Sequence, residues 1–424
     1  MRDATKALTV IAELDADPDR LAILRSRLKI IGDHPENNPL FLPEQVPHTH
    51  FMRFVIIERD FDLPALLAWE SNYDGDVTEY LVGAVRAPID QIFEFCIGYP
   101  AGGSDEARVW WLLEHTRRSA AFYTGYRGVP RTQVVNDRKV HDAIRDAIDR
   151  QGGHAAFDGL PAREIQRRLR EHVQTTHPEL DTSVSDDQRW RWRFAKLAAI
   201  VFLAPPVLVL AIVVGLPWWF TLRHKEKTDV AEPNDRPVHD DKDLSQFEDK
   251  VTQNQLTHLV EIKPGWFRYA TLSFVLFAID IIARAWEVEG DLGGITSIHF
   301  ARWVIIPDTW TTRGRKRHRL LFFSNYDGSW ESYLGEFVDR AAFGLSGVWS
   351  NTVGFPTTRY LIRAGAKDEE AFKQWTRRHQ IPTQAWWSGV PDSTVQNIRN
   401  DLWLRRNLER RLDDNELDDW LKRL

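Results

Sequence analysis

His50–Ile57 reads HFMRFVII, and nearly the same residues return at His299–Ile306 as HFARWVII. Both stretches are rich in aromatic and β-branched residues, which is typical of β-strands. A second shared stretch, SNYDG, occurs at Ser71–Gly75 and again at Ser324–Gly328. The same motifs in the same order indicate an internal duplication.

The separation between matching motifs changes slowly along the chain. It is 249 residues between His50 and His299, and 261 residues between Gly128 and Gly389, which begin two GVP motifs. Small loop insertions produce such a drift. Each copy therefore descends from one ancestral unit.

The sequence predicts an α+β fold of two ferredoxin-like sandwich repeats. In the first copy, Ala7–Leu14 reads as a strand and Asp17–Ile31 as an amphipathic helix, followed by two strands, further helices and a last strand. The SNYDG motif is interpreted as a corner at which Asn72 and Asp74 cap the next helix. Two such sheets are expected to pack together as an internal pseudo-dimer.

Between the copies, Leu197–Leu222 holds twenty-six residues without a charge. A helix of that length crosses the ~30 Å hydrocarbon core of a bilayer. If both copies lie on one side of the membrane, the chain must return, and Trp266–Trp286 is the favoured second segment of a hairpin. A re-entrant or interfacial insertion that turns at Pro205–Pro206, and a single span, remain alternatives.

These patterns divide the chain into five regions, and Leu244–His258 within the third is expected to be helical. The regions are a ferredoxin-like repeat at 1–130, an amphipathic helical segment at 131–190, a membrane-associated helical insertion at 191–291 with apolar segments 197–222 and 266–286 and an acidic linker at 228–243, a second ferredoxin-like repeat at 292–400, and a charged C-terminal helix at 401–424.

Composition limits the environment and the partners. The chain has 424 residues, a net charge of −6 and a single cysteine, Cys96. One cysteine excludes an internal disulfide framework and is typical of a reducing compartment. The acidic balance argues against nucleic acid as a partner. The charged N-terminal stretch lacks the apolar region of a secretory signal, so the repeats are expected at the inner or cytoplasmic membrane, facing the cytoplasm.

Polar residues that both copies share are the candidate catalytic group. A histidine can shuttle a proton and an arginine can hold an anion. The alternative is architectural: the acids cap helices, the tyrosines pack, and the histidines and arginines fix the strand entrance. The candidates are His50, Arg53, Tyr73 and Asp74 in the first copy, and His299, Arg302, Tyr326 and Asp327 in the second.

Two further patterns that contain histidine have both a functional and a structural interpretation. His48 and His50 form an H-x-H pair that can chelate a metal on a strand, but the second copy has Ser297 in the place of His48, and no metal site is assigned. His258 and Glu261 are either an acid–base pair at the membrane edge or a polar cluster.

A basic hairpin tip in the second copy is expected either to contact anionic lipid headgroups at the membrane surface or to be solvated. Its basic residues are Arg313, Arg315, Lys316, Arg317 and Arg319.

With its HFARWVII, NYDG and GVP motifs, the chain resembles an uncharacterised group of bacterial membrane-associated proteins with duplicated ferredoxin-like halves. At the level of fold alone, the paired plan is similar to the dimeric α/β-barrel of dye-decolourising peroxidases and chlorite dismutases, which bind haem. The G-x-x-D-G signature of the peroxidases is replaced here by N-Y-D-G.

The uncharacterised group supplies no known activity. The fold-level similarity to the haem-binding barrels implies a membrane-anchored redox enzyme with an apolar or lipid-like substrate and haem as its candidate cofactor. The alternatives are a non-enzymatic membrane-anchored ligand-binding or scaffold protein, and an enzyme that modifies lipids without a redox cofactor. The expected partners are the lipid bilayer and anionic headgroups. The oligomeric state, the reaction and the substrate stay open.

Overall fold

A computed structural model describes residues 5–60, 63–150, 152–153, 157–183, 214–229, 244, 248–249, 251–285, 294–306 and 318–424. The chain is α+β, with two four-stranded antiparallel sheets. It divides into two compact units, one of Met1–Gly128 with Leu208–Asp392 and one of Val129–Val207 with Ser393–Leu424.

The two halves share the order strand, helix, two strands, helices and a last strand, and the second half has two additional short strands before its last helix. The strands are β1 Thr5–Glu13, β2 Thr49–Ile57, β3 Leu66–Asp74, β4 Ala121–Thr124, β5 Gln253–Glu261, β6 Ile298–Ile306, β7 Arg319–Asp327, β8 Thr358–Arg359, β9 Arg363–Ala364 and β10 Ala385–Ser388. The helices are α1 Pro18–Asp33, α2 Val77–Arg86, α3 Asp90–Phe93, α4 Asp105–Glu114, α5 Arg131–Arg150, α6 Ala162–Thr176, α7 at 214–228, α8 Trp266–Ala285, α9 Trp330–Trp349, α10 Glu369–His379, α11 Val395–Leu408 and α12 Asp414–Leu421.

Each sheet takes its fourth strand from the other half of the chain. The first sheet has the order β1-β3-β2-β10, and the second has the order β5-β7-β6-β4. In the first sheet Trp386 of β10 pairs with Arg53, and in the second Phe122 of β4 pairs with Arg302. The two halves therefore exchange their last strands.

The inner faces of the two sheets pack against each other. Val55 and Ala68 of the first sheet share one buried cluster with Val304 and Leu321 of the second. Helices cover the outer faces, α1 on the first sheet and α8 on the second. All of these elements belong to the first compact unit.

Two local predictions are wrong. Leu244–His258 was expected to be helical within the insertion 191–291, but Gln253–Glu261 is a strand, because its polar side chains are buried and its backbone pairs with β7 along its whole length. The sheet of the second half therefore begins well before residue 292.

The SNYDG motif is not a capping corner. Ser71–Asp74 continue β3, and the turn comes at Gly75, whose φ of 94° is the left-handed conformation that glycine tolerates. Asp76 caps α2 by accepting hydrogen bonds from the backbone of Thr78 and Glu79. Asn72 and Asp74 are thus left for other contacts.

The second compact unit is helical and is built from α5, α6, α11 and α12. Its buried polar contacts join α5 to α11: Arg405 lies 2.5 Å from Asp137, and Nδ1 of His141 lies 2.6 Å from Asp401. Burial raises the pKa of Asp137 to about 6, and Arg405 opposes that increase.

One helix in the described part of the chain is long and apolar enough to cross a membrane. It is the stretch Trp266–Ala283 of α8, with a mean hydropathy of 1.5 and a third of its residues buried (33%). Of the longer apolar segment, residues 197–213 lie outside the described part, and 214–222 are helical in α7. Most of the acidic linker at 228–243 also lies outside it.

Candidate functional site

The shared arginines meet between the two sheets, where both side chains are fully buried. Nε of Arg53 lies 2.8 Å from one carboxylate oxygen of Glu70, and Nη2 of Arg302 lies 2.7 Å from the other. Two guanidinium groups thus share one buried carboxylate. Burial lowers the pKa of Arg302 to about 10, and Arg53 adds to that decrease while Glu70 opposes it. Arg302 therefore stays charged at neutral pH.

Each arginine also crosses to the opposite sheet. Arg53 donates from Nη1 to the carbonyl oxygen of Leu256 at 3.0 Å and from Nη2 to that of Ser324 at 2.8 Å. Arg302 makes the matching bonds to Leu8 at 2.5 Å and to Ser71 at 2.9 Å. The two side chains therefore tie the sheets together with the same pattern in both directions.

The shared histidines sit at irregularities of their strands. In β2 the pairing with β3 shifts between Thr49 and Phe51, and His50 is the extra residue. In β6 the pairing with β7 shifts between Ile298 and Phe300, and His299 is the extra residue. Such bulges re-aim a side chain.

Each histidine contacts the shared aspartate of its own half. Nε2 of His50 lies 3.0 Å from both carboxylate oxygens of Asp74, which also accepts a bond from Thr5 at 2.8 Å. Nε2 of His299 lies 2.8 Å from Asp327. These pairs can hold a proton, but both imidazole rings are fully buried.

Tyr126 lies between the two His–Asp pairs. Its ring centroid is 5.8 Å from that of His50 and 5.7 Å from that of His299, and its hydroxyl is 3.5 Å from Nδ1 of His50. Burial raises its pKa well above the usual value, and the charges of Asp74 and Asp327 add to this. The phenol therefore stays protonated.

The shared tyrosines do not join this centre. Tyr73 stacks on Tyr80 of α2 with ring centroids 4.2 Å apart, and Tyr326 stacks on Tyr333 of α9 at 3.8 Å. Both rings face the helices. Burial raises the pKa of Tyr73 to about 12. The structure thus pairs each shared histidine with its aspartate, joins the two arginines through Glu70, and leaves the tyrosines in the outer cores.

The H-x-H pair does not share a strand face. His48 is exposed in the turn before β2, with a φ of 63°, whereas His50 is buried. Among the residues that the structure describes, no three His, Cys, Asp or Glu side chains are grouped as metal ligands.

The pair His258 and Glu261 belongs to β5. His258 is buried among aromatic rings, with centroids 4.8 Å from Trp349 and 4.7 Å from Trp375. In the register of the sheet Glu261 lies opposite Arg319, which is only 4% exposed at the start of β7. Arg319 therefore does not belong to an exposed membrane-surface group.

The remaining basic residues of the predicted tip lie outside the described part of the chain. They are Arg313, Arg315, Lys316 and Arg317.

Two cavities in the described part of the chain lack the ligands that haem needs. Cavities of about 560 Å³ and 520 Å³ lie in the first compact unit. Haem iron needs an axial ligand such as His, Cys, Met or Tyr. None of these side chains is among the described residues that line either cavity, and neither cavity includes His50 or His299. No step of a reaction through haem follows from this geometry.

Two residues of the centre were missed in the sequence, although each leaves a signal there. Glu70 is the single charge in the apolar run LLAWE, and the second copy has Phe323 at the corresponding position. Tyr126 belongs to a three-residue insertion. The backbone N–H of Gly125 donates to the carbonyl oxygen of His299, as that of Gly389 does to His50. Gly389 is followed directly by a Val-Pro pair, whereas three residues separate Gly125 from its Val-Pro pair. In both cases the signal for the missed residue was a difference in sequence between the two halves.

Comparison of the chain with protein-family models, with curated proteins and with solved structures gives no match.

Proposed function

We propose that the protein is a membrane-attached scaffold or ligand-binding protein whose two-sheet body is held by a polar core. The exposed face of α8 is the observation that carries this proposal. Every exposed residue of α8 with a described side chain is apolar or aromatic: Trp266, Tyr269, Ala270, Phe274, Phe277, Ile281 and Ile282. Phe274 and Phe277 are 67% and 60% exposed.

A surface helix of a soluble protein usually has a polar outward side. Large exposed apolar patches mark contacts with a membrane or with another protein. Helix α7 extends the patch with exposed Leu216 and Phe220. Aromatic residues of the kind found at bilayer interfaces border it, including Trp219, whose ring stacks on Tyr360 with centroids 6.2 Å apart. A bilayer is the partner that this chemistry favours.

The way α8 is held supports contact along its side rather than a free span. Leu272 and Leu276 are fully buried in the core of the second sheet. Near the other end of α8, Oδ1 of Asp280 accepts a bond from the backbone N–H of Phe122 at 3.2 Å. A helix fixed in this way can lie in the interface with its outward side in the acyl region.

The polar core supports a structural role over a redox role. The guanidinium groups of Arg53 and Arg302 are bonded to Glu70 and to backbone carbonyls. Both imidazole rings are buried beside Tyr126, and neither ring lines the cavities of about 560 Å³ and 520 Å³. These two cavities therefore do not bring a substrate to the imidazoles.

We also infer that the two halves are ferredoxin-like repeats from one duplication, in the manner of a dimeric α/β-barrel. The matching sheet orders, the matching bulges at His50 and His299 and the matching bonds of the two arginines support this. The buried, unpaired thiol of Cys96 supports a cytoplasmic orientation of the body.

Labelling of one position in each half tests membrane contact. In a Cys96→Ala background, Phe277→Cys and the control Ile30→Cys on the exposed side of α1 each receive an NBD fluorophore. The full chain is then reconstituted into phosphatidylcholine vesicles. We expect quenching at position 277 by nitroxide-labelled lipid, because that side chain points into the acyl region. We expect quenching at position 30 by aqueous iodide.

Quenching of both labels by iodide alone would contradict membrane contact through α8. This readout is local, so it does not depend on how residues 197–213 interact with lipid.

A further inference from the structure

A cavity of about 560 Å³ lies at the end of α7 and the start of α8. Lys225 and Asp229 line it from the α7 side, Lys263 and Arg268 from the α8 side, and Arg378 from α10. All of these residues belong to the first compact unit.

The described lining of this cavity is positively charged. It contains four cationic side chains and two carboxylates, which gives a net charge of +2. The cations are Lys225, Lys263, Arg268 and Arg378, and the carboxylates are Glu226 and Asp229.

Both carboxylates are already bonded within the protein. Glu226 accepts bonds from the backbone N–H groups of Tyr360 at 3.1 Å and Leu361 at 2.7 Å, and it pairs with Arg223. Asp229 accepts from Nε and Nη2 of Arg268, at 3.0 and 2.6 Å. They therefore hold the walls of the cavity together, and among the described residues neither carboxylate pairs with Lys225 or Arg378.

The other cations are less satisfied. Lys225 and Arg378 form no ion pair with any residue in the described part of the chain, whereas Lys263 donates to the carbonyl oxygen of Ser350 at 3.0 Å and lies 3.6 Å from Asp229. Burial, together with Arg268, lowers the pKa of Lys263, and Asp229 opposes that decrease. An anion inside the cavity would stabilise all three charged side chains.

The cavity lies at the basic end of two apolar helices. Nε1 of Trp218 in α7 donates to Thr271 in α8 at 3.0 Å, and Leu222 shares a buried cluster with Phe267. Residue numbers therefore increase along α7 while those of the contacting residues in α8 decrease, so the two helices are antiparallel. Their exposed apolar residues extend away from these cations. A bilayer interface has the same order, with charged headgroups beside the apolar acyl region.

We propose that this cavity binds a phosphate group, carried either by an anionic lipid headgroup or by a soluble phosphate ester. The cavity is large enough for a headgroup, its walls carry donors from lysine and arginine, and these donors suit phosphate oxygens. In its lipid form the proposal rests on the membrane attachment proposed above, and in its soluble form it does not.

The test compares the full chain with two double variants that remove equal charge. Lys225→Gln with Arg378→Gln removes the two cations that have no ion pair. Lys139→Gln with Arg145→Gln removes two exposed cations of α5 and is the control. Binding of inorganic phosphate is measured by titration calorimetry in detergent, and binding to phosphatidylcholine vesicles is measured with and without phosphatidic acid.

We expect binding to inorganic phosphate, to phosphatidic acid or to both, and about 30-fold weaker binding in the cavity variant, with no change in the control. Binding to free phosphate identifies a soluble ester as the source, and binding only to phosphatidic acid identifies a headgroup. Equal loss in both variants, equal binding in all three proteins, or no binding to either probe would overturn the proposal. The NBD quenching at position 277 is independent of these residues, so the two proposals fail separately.

Discussion

Helices α1 and α8 hold the same place in the two halves of the chain, but their outward sides differ. Each follows the first strand of its half and covers the outer face of its own sheet. The exposed side of α1 includes Arg25, Ser26 and Lys29, whereas that of α8 presents Phe274 and Phe277. The inward residues of each helix pack on its sheet, whereas the outward residues of the two helices differ in polarity. One architecture can therefore be kept while the outward side of a single helix changes from largely polar to apolar.

The same contrast occurs between the sheets. Arg53 faces Glu70 on the neighbouring strand, while Arg302 faces Phe323 in the same register. The first half thus supplies the only carboxylate of this trio. The halves share an order of core strands and helices, but the carboxylate that balances the two arginines comes from the first half alone.

The largest expected effect comes from removing that carboxylate. Glu70→Gln keeps the shape of the side chain but leaves two buried guanidinium groups without a counter-charge, and we expect a loss of about 3–5 kcal/mol in the free energy of unfolding. Phe323→Leu, at the corresponding position of the second half, should cost only about 1 kcal/mol. Urea denaturation of the purified protein measures both. Equal losses would show that the halves contribute alike to the polar core.

A smaller effect is expected at the exchanged strand β4. A Cβ atom on Gly125 would lie 2.2 Å from the carbonyl oxygen of Ile298, which is backbone and cannot turn aside. We expect Gly125→Ala to cost about 2 kcal/mol. Gly335→Ala in α9 meets nothing within 4 Å and should instead stabilise by about 0.5 kcal/mol. A Gly125→Ala variant as stable as the parent in a thermal melt would argue against the exchange.

The two His–Asp pairs should differ least. Asp74 accepts bonds from both His50 and Thr5, and we expect Asp74→Asn to cost about 2 kcal/mol. Asp327→Asn disturbs the bond to His299 and should cost a similar amount, about 2 kcal/mol. Guanidinium denaturation of the two variants side by side measures both losses. A loss for one variant that is several times that of the other would show that the two pairs do not contribute alike.

Sequence patterns predict those elements whose apolar residues face one way. The spacing of Leu24, Leu28 and Ile31 predicts α1, and all three are buried. Strand β5 was missed because its inward side is polar: Gln255 and Thr257 are buried and accept bonds from Arg53. Alternation of apolar and polar residues carries no signal when both sides of a strand are buried.

The candidate site was predicted in part. Shared residues pointed to His50 and Asp74, which do meet, because the hairpin places them at one end of neighbouring strands. The bonds from Arg53 to Ser324 and Asn325 could not be predicted, because they join residues more than two hundred positions apart. The strand exchange is hidden for the same reason: nothing near Ala385–Ser388 indicates that it pairs with β2.

Because β10 is the fourth strand of the first sheet, that sheet is not complete until Ala385–Ser388 have been synthesised. The edge of β2, a run of aromatic and branched residues, stays uncovered until the ribosome has delivered Ala385–Ser388. Such an open edge readily recruits foreign strands. A nascent chain that stops before Ala385 therefore keeps this edge open, and we expect it to aggregate more readily than a chain that includes Ala385–Ser388.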